Sequence, residues 1–167
     1  MGLMRRSLLT ALLAAASVCA QAQNLPGPTL VGKTMQPAAV DLAQLKGKVV
    51  LLFFWSTDCS VCLDKLPELR RNLDGWRGKD FVIVAVSQDR SMNDLKAYEQ
   101  VLDKVAPPNA QMKIVWRRDA AHRDNFGELP VKSPTTIVID RDGKVAKTIR
   151  GRVPAELWDD IAELVLN

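Results

Sequence analysis

The sequence holds one histidine, His122, and three cysteines, Cys19, Cys59 and Cys62. A structural zinc site takes about four nitrogen and sulfur ligands. Cys19 lies in a segment read below as removed, so one close cysteine pair and a distant histidine do not supply such a site. A c-type haem site needs histidine directly after the second cysteine of a C-x-x-C pair, and Leu63 stands there. The Pro-x-x-x-Thr-x-x-Cys arrangement of a peroxidase is missing. An excess of charge of one sign is missing too. The formal charge is +4, with acidic and basic residues interspersed and no basic stripe, so nothing argues for nucleic acid as a partner. Internal repeats and low-complexity stretches are absent. At 167 residues the chain suits one domain with a core of its own, not two.

A long apolar run is also lacking. Leu8 to Val18 falls short of the roughly 20 residues that cross a bilayer. It follows Arg5-Arg6 and precedes Ala20-Gln21-Ala22, an A-x-A cleavage signal. Residues 1–22 therefore read as a signal peptide cut after Ala22, leaving 23–167 as the domain, in the periplasm. An uncleaved membrane anchor and lipidation of Cys19 are the alternatives. Val18 precedes Cys19 where lipoproteins usually carry a small residue. Loss of Arg5 and Arg6 takes the charge from +4 to +2. Export meets an oxidising compartment, and the mature chain keeps only Cys59 and Cys62. A four-residue disulfide loop removes little chain entropy, so the pair reads as a reagent rather than a staple.

That pair lies within Lys48 to Leu69, KVVLLFFWSTDCSVCLDKLPEL. Val49 to Trp55 is an unbroken apolar run, expected as a strand buried on both faces. Ser56-Thr57-Asp58 suits a turn and a helix N-cap. Leu63, Leu66 and Leu69 then follow helical spacing, with Pro67 expected to kink the helix. Residues three apart share a helix face, so Cys59 and Cys62 can close a disulfide with little movement. Unpaired N–H groups and the helix dipole favour an anion at this end. A thiolate there can fall from about 8.5 to roughly 3.5–7.5. Cys59 is expected as the exposed, ionised sulfur, and Cys62 as the more buried resolving thiol.

Along the rest of the chain, strands are expected near Thr29–Val31, at Phe81–Ser87, Met112–Trp116 and Pro134–Asp140, and over Lys144–Ile149. Asp142-Gly143 gives a hairpin turn signal. A helix from the Ser91–Asp94 box carries Leu95, Tyr98, Val101, Leu102 and Val105 on one face and stops at Pro107-Pro108. A short helix is expected over Ala120–Phe126, with His122 on its surface. Pro154 fits the first position of a last helix bearing Leu157, Trp158, Ile161, Leu164 and Val165. The order predicts an α/β fold with a central mixed sheet and helices on both faces.

LKGKVVLLFFWSTDCSVC, Pro67 in CLDKLPEL, and SPTTIVIDRDGKV together resemble the thioredoxin fold. They are most similar to the exported TlpA-like and ResA-like disulfide reductases, including the cytochrome c maturation type. The likeness covers about residues 40–151, and residues 23–39 resemble the family's N-terminal extension only loosely. It implies Cys59 as attacking nucleophile, Cys62 as resolving thiol and Pro134 as a cis-proline facing the disulfide. The Ser133 backbone would then pair with an extended substrate. A strand-initiating proline is the alternative for Pro134. The redox pair itself is the only cofactor implied. The implied partners are a protein disulfide and a membrane electron donor, and a monomer is expected.

Three positions depart from the family. Asp58 stands where Trp usually precedes the first cysteine. Phe53 replaces the buried acid of thioredoxin and the Asn frequent in TlpA-like proteins. Lys65 replaces a Glu one turn after the second cysteine. Asp58 and Lys65 are candidate tuning residues, and Trp55 a candidate beside the substrate. These bear on the redox potential, which in C-x-x-C proteins spans about −270 to −120 mV. The expected activity is thiol–disulfide exchange, most of all disulfide reduction. An oxidase or isomerase of the same fold and a dithiol Cu(I) chaperone are the rivals. No histidine lies near the pair, and the five methionines are not clustered.

Overall fold

The computed structural model describes residues 27–105 and 112–167. The expected signal peptide and Pro107-Pro108 lie outside them. Strands β1 (Leu30–Lys33), β2 (Ala39–Asp41), β3 (Val49–Trp55), β4 (Phe81–Ser87), β5 (Lys113–Trp116), β6 (Arg123–Asp124), β7 (Thr135–Ile139) and β8 (Val145–Arg150) alternate with helices α1 (Ser60–Gly75), α2 (Met92–Val105) and α3 (Leu157–Leu166). The main sheet runs β5-β4-β3-β7-β8. β3, β4 and β5 are parallel, and β7 and β8 complete the sheet in antiparallel fashion.

β3 sits at the centre, the place that suits a strand apolar on both faces. All seven of its residues are buried, and successive side chains go to opposite faces. Val49, Leu51, Phe53 and Trp55 enter one core layer with Cys62, Leu66 and Leu69 of α1, Leu95 of α2, and Leu157, Ile161 and Val165 of α3. Val50, Leu52 and Phe54 enter the other layer with Leu30, Val40 and Leu42, against which Phe126 and Leu129 pack. The α/β mixed sheet is as expected, but the α-helices are not shared between its faces. Among the described residues, the buried side chains of α1 and α3 and Leu95 of α2 join one layer. The small antiparallel sheet β2-β1-β6 and a 3-10 turn at Leu42–Leu45 close the other. Parallel crossovers are right-handed in nearly all proteins, and two of them in the same direction leave α1 and α2 on one side.

Other differences are local. Ala120–Phe126 is not a helix. The Asp119 carboxylate accepts from the Ala121 amide at 2.8 Å, a turn-forming bond that competes with helix, and Arg123–Asp124 pairs with β1. In α2 the buried residues are Leu95 and Leu102, while Val101 and Val105 are 62% and 76% exposed. Those two valines lie off the i, i+7 line of the buried pair, so an apolar residue at nearly helical spacing still turns to solvent. α3 begins at Leu157, with Pro154 in the turn before it, where its carbonyl accepts from the Leu157 amide. At the hairpin, Gly143 has φ +82°, a conformation that favours glycine.

Candidate active site

The carboxyl ends of β3, β4 and β5 converge on one end of the sheet, where sites in open α/β sheets usually lie. β3 hands over to α1 there through Ser56–Cys59, a turn closed by the Cys59 amide donating to the Ser56 carbonyl at 3.1 Å. Cys59 is itself the N-cap of α1, with extended backbone, and its Sγ accepts from the Cys62 amide at 3.1 Å. Cys59 and Cys62 form a disulfide with Cα atoms 5.1 Å apart, inside the range that one helical turn offers.

Cys59 is not exposed as expected. It is 1% accessible and Cys62 0%. Capping turns Sγ back over the helix end and into the layer that holds Trp55 and Leu66. The same geometry serves an anion. An amide already points at Sγ59, and the start of a 16-residue helix lies behind it.

Pro134 reaches this end from β7. No peptide bond among the described residues is cis, so the expected cis bond before Pro134 is corrected to trans. Trans is favoured by about 0.5–1 kcal/mol for X-Pro, and Pro134 leads into β7 as a strand-initiating residue, buried, with its carbonyl accepting from Gly151 N–H at 2.8 Å. The segment before it is fastened to the cysteine turn. Ser56 Oγ donates to the Val131 carbonyl at 2.8 Å, and Gln88 Nε2 donates to the Pro130 carbonyl at 2.9 Å. Ser133 is half-buried and lies between these ties and β7.

Trp55 is fully buried and meets Tyr98 edge to face, with centroids 5.0 Å apart. It therefore lies behind the site, on the helix face of β3, and not on a substrate surface. Asp58 is exposed, and Cys59 takes the capping role open to it. Lys65 is not solvated. Its Nζ donates to Glu68 Oε1 at 2.7 Å and to the Val153 carbonyl at 3.1 Å, and Trp158 Nε1 donates to the same Glu68 oxygen at 2.6 Å. Burial pushes the Glu68 carboxyl up, but these donors and the nearby Arg71 charge outweigh it and hold the group below its usual range. The Lys65 charge is thus committed to Glu68. Phe53 is fully buried where thioredoxin carries its acid.

Two polar clusters escaped the sequence reading. Asp89, 4% exposed, accepts from both Thr57 N–H (2.8 Å) and Thr57 Oγ1–H (2.7 Å) through Oδ1, and from Ser87 Oγ–H (2.7 Å) through Oδ2. The signal available was Ser56-Thr57 and Gln88-Asp89, polar pairs directly following two neighbouring buried strands. The second cluster contains His122, which is 7% exposed rather than on the surface. Its Nε2 bonds Asp124 Oδ2 at 2.7 Å, and Arg117 grips both Asp124 oxygens at 2.7 Å. Burial acts to raise the Asp124 carboxyl, but His122, Arg117 and the Phe126 amide hold it far below the usual carboxylate range. Among the described residues no group of three or more His, Cys, Asp or Glu is placed to hold a metal ion. Nor is any helix among them long and apolar enough to cross a membrane.

The chain is similar to several curated proteins and solved structures. The thiol-disulfide oxidoreductase ResA of Bacillus subtilis is 27% identical over 142 residues, covering 83% of this chain and 73% of ResA. ResA of Bacillus anthracis is 28% identical over 129 residues, covering 77% and 70%. A solved Chlorobium tepidum structure, described as a DsbE-type thiol:disulfide interchange protein, is 27% identical with a TM-score of 0.64, covering 84% of this chain and 95% of that one. The fold is shared with the exposed lipoprotein thioredoxin Etrx1 of Streptococcus pneumoniae, at TM-score 0.63, 23% identity and coverage of 81% and 99%. The Redoxin family model matches residues 20–166, so the chain belongs to the Redoxin family, among thioredoxin-fold thiol–disulfide oxidoreductases.

Proposed function

We propose that this chain is an exported disulfide reductase acting on protein disulfides, in cytochrome c maturation or related thiol maintenance. The observation that carries the reading is the Cys59–Cys62 disulfide at the start of α1, with the Cys62 amide donating to Cys59 Sγ. In the reduced protein the Cys59 thiolate attacks one sulfur of a substrate disulfide, and the other substrate sulfur leaves as a thiolate and takes up a proton. Cys62 then gives up its proton and attacks Cys59 Sγ, and the second substrate sulfur departs. The substrate gains two electrons and two protons, and the pair returns to the disulfide. A dithiol on a membrane electron donor reverses the last change. The Ser133 backbone, beside Pro134, is where an extended substrate segment would pair. A signal peptide over 1–22 would deliver the domain to the periplasm.

Insulin reduction by dithiothreitol tests the activity, with acceleration by wild type and loss of it in Cys59→Ser as the expected result. Cys62→Ser, expressed in the native compartment, should hold substrates as mixed disulfides on Cys59. Failure to trap any cysteine-bearing protein, together with no insulin reduction, overturns the reading. Stoichiometric Cu(I) binding without disulfide turnover would give the Cu(I) chaperone instead, and net oxidation of a reduced substrate would give the oxidase.

A further inference from the structure

Asp89 follows β4 and lies 30 residues after Cys59 in sequence, yet it reaches the turn that carries Cys59. Its Oδ1 takes the Thr57 amide and hydroxyl at 2.8 and 2.7 Å. Its Oδ2 takes the Ser87 hydroxyl at 2.7 Å, and its own amide donates back to Ser87 Oγ at 3.2 Å. Its carbonyl accepts from Trp116 Nε1 at 2.8 Å. The neighbouring Gln88 amide donates to the Trp55 carbonyl at 2.7 Å. The residue is thus fixed at every polar atom, with three donors aimed at its two carboxylate oxygens, and it is 4% exposed.

We propose that Asp89 is a positioning residue of the redox site, which holds the Thr57 turn and biases the cysteine pair toward the disulfide, making the protein a stronger reductant. The inference deepens the reductase reading above and rests on it. Two effects combine. By accepting both Thr57 donors, Asp89 fixes the turn two residues before Cys59 and so the direction from which Sγ59 leaves the helix start. By carrying charge in a place shielded from water, it opposes a second anion nearby. The thiolate of the reduced form feels that opposition, and the neutral disulfide does not.

The surrounding charges do not cancel it. Arg117 is committed to Asp124 and Lys65 to Glu68. Arg90, next in sequence, and Asp58, in the same turn, are both exposed, where screening weakens them. At an effective dielectric constant of about 20, one unit charge acting on another over a separation on the order of 10 Å shifts an equilibrium on the order of tenfold, and this sets the size of the expected effect.

Asp89→Asn separates charge from position. Its amide oxygen can still take the Thr57 donors, and its amide nitrogen can donate to Ser87 Oγ. The purified protein is equilibrated with glutathione redox buffers at pH 8, and the reduced fraction is read by thiol alkylation. The expected result is a shift of about tenfold toward the dithiol, or about 30 mV less reducing, with circular dichroism unchanged. Asp58→Asn should move the equilibrium less, and its effect should vanish in high salt. A folded Asp89→Asn protein within twofold of wild type overturns the proposal. If Asp89→Asn does not fold, Ser87→Ala carries the test. It keeps the charge but removes a donor that damps it, so the equilibrium should move toward the disulfide. No movement, or movement toward the dithiol, overturns the proposal. Wild type that exchanges with neither glutathione nor insulin sinks the reductase reading itself, and so stays distinguishable from these outcomes.

Discussion

Replacing Asp124 by Asn should cost the protein a large part of its stability, and the cost should depend on pH in a defined direction. The carboxylate is 5% exposed and receives Arg117 through two bonds of 2.7 Å, His122 at 2.7 Å and the Phe126 amide at 3.0 Å. Asparagine keeps one acceptor and presents an amide to donors that already point at it. It leaves the Arg117 guanidinium, 18% exposed, without its counter-charge. Breaking a buried pair from one side costs about 3–5 kcal/mol. We take about 3 kcal/mol because Arg117 keeps its bond to the Gly127 carbonyl. In a domain of this size that lowers the melting temperature by roughly 10 °C.

The sign of the pH effect follows from the depressed carboxyl. The folded-state value lies below the unfolded one, so the stabilisation is complete above the unfolded value of about 4 and fades as pH falls toward the folded value. The gap between wild type and Asp124→Asn should therefore be full at pH 7 and narrow steadily from pH 5 to pH 2. Urea titrations followed by circular dichroism across that range measure it. A gap under about 1 kcal/mol at pH 7, or one of constant size down to pH 2, would refute the reasoning.

Three further outcomes are expected. Gly32→Ala places a methyl 2.6 Å from Val115 Cγ1 and 2.9 Å from His122 Nδ1; it should destabilise by roughly 1–3 kcal/mol, and a melt within error of wild type would count against the packing of β1 on β5. Lys65→Met should leave the glutathione equilibrium within about threefold of wild type, since its charge is already paired with Glu68; a tenfold shift would make Lys65 a direct tuner of the thiolate. A variant keeping Trp55 alone, with Trp76, Trp116 and Trp158 as Phe, should change its fluorescence on reduction, because Trp55 shares a core layer with Cys59 and Cys62; identical emission in both forms would contradict that packing.

What the sequence disclosed was whatever depends on near neighbours. VVLLFFW reads as a buried strand, and a cysteine pair at its end followed by leucines at helical spacing reports a strand-to-helix junction. β3 and β4 match the expected bounds residue for residue. What stayed hidden depends on partners far along the chain. Asp89 reads as an ordinary loop residue until Thr57 is seen against it. His122 reads as a surface residue until Asp124 and Arg117 close around it. Ala120–Phe126 reads as a short helix. Its role is decided by pairing with β1, some 90 residues earlier, which no local pattern records. Val101 and Val105 show the limit of periodicity, since it marks a face without giving its width.

Cys59 and Cys62 are joined twice over, by the covalent bond between their sulfurs and by the weaker link from the Cys62 amide to Sγ59. Only the first is consumed when electrons arrive. The second needs only a backbone N–H and a sulfur that are both still present in the dithiol, so it is expected to keep the two residues in register, with amide chemical shifts beyond the first turn of α1 nearly the same in both forms. Large shifts along the helix on reduction would show instead that each turnover has a backbone rearrangement to drive.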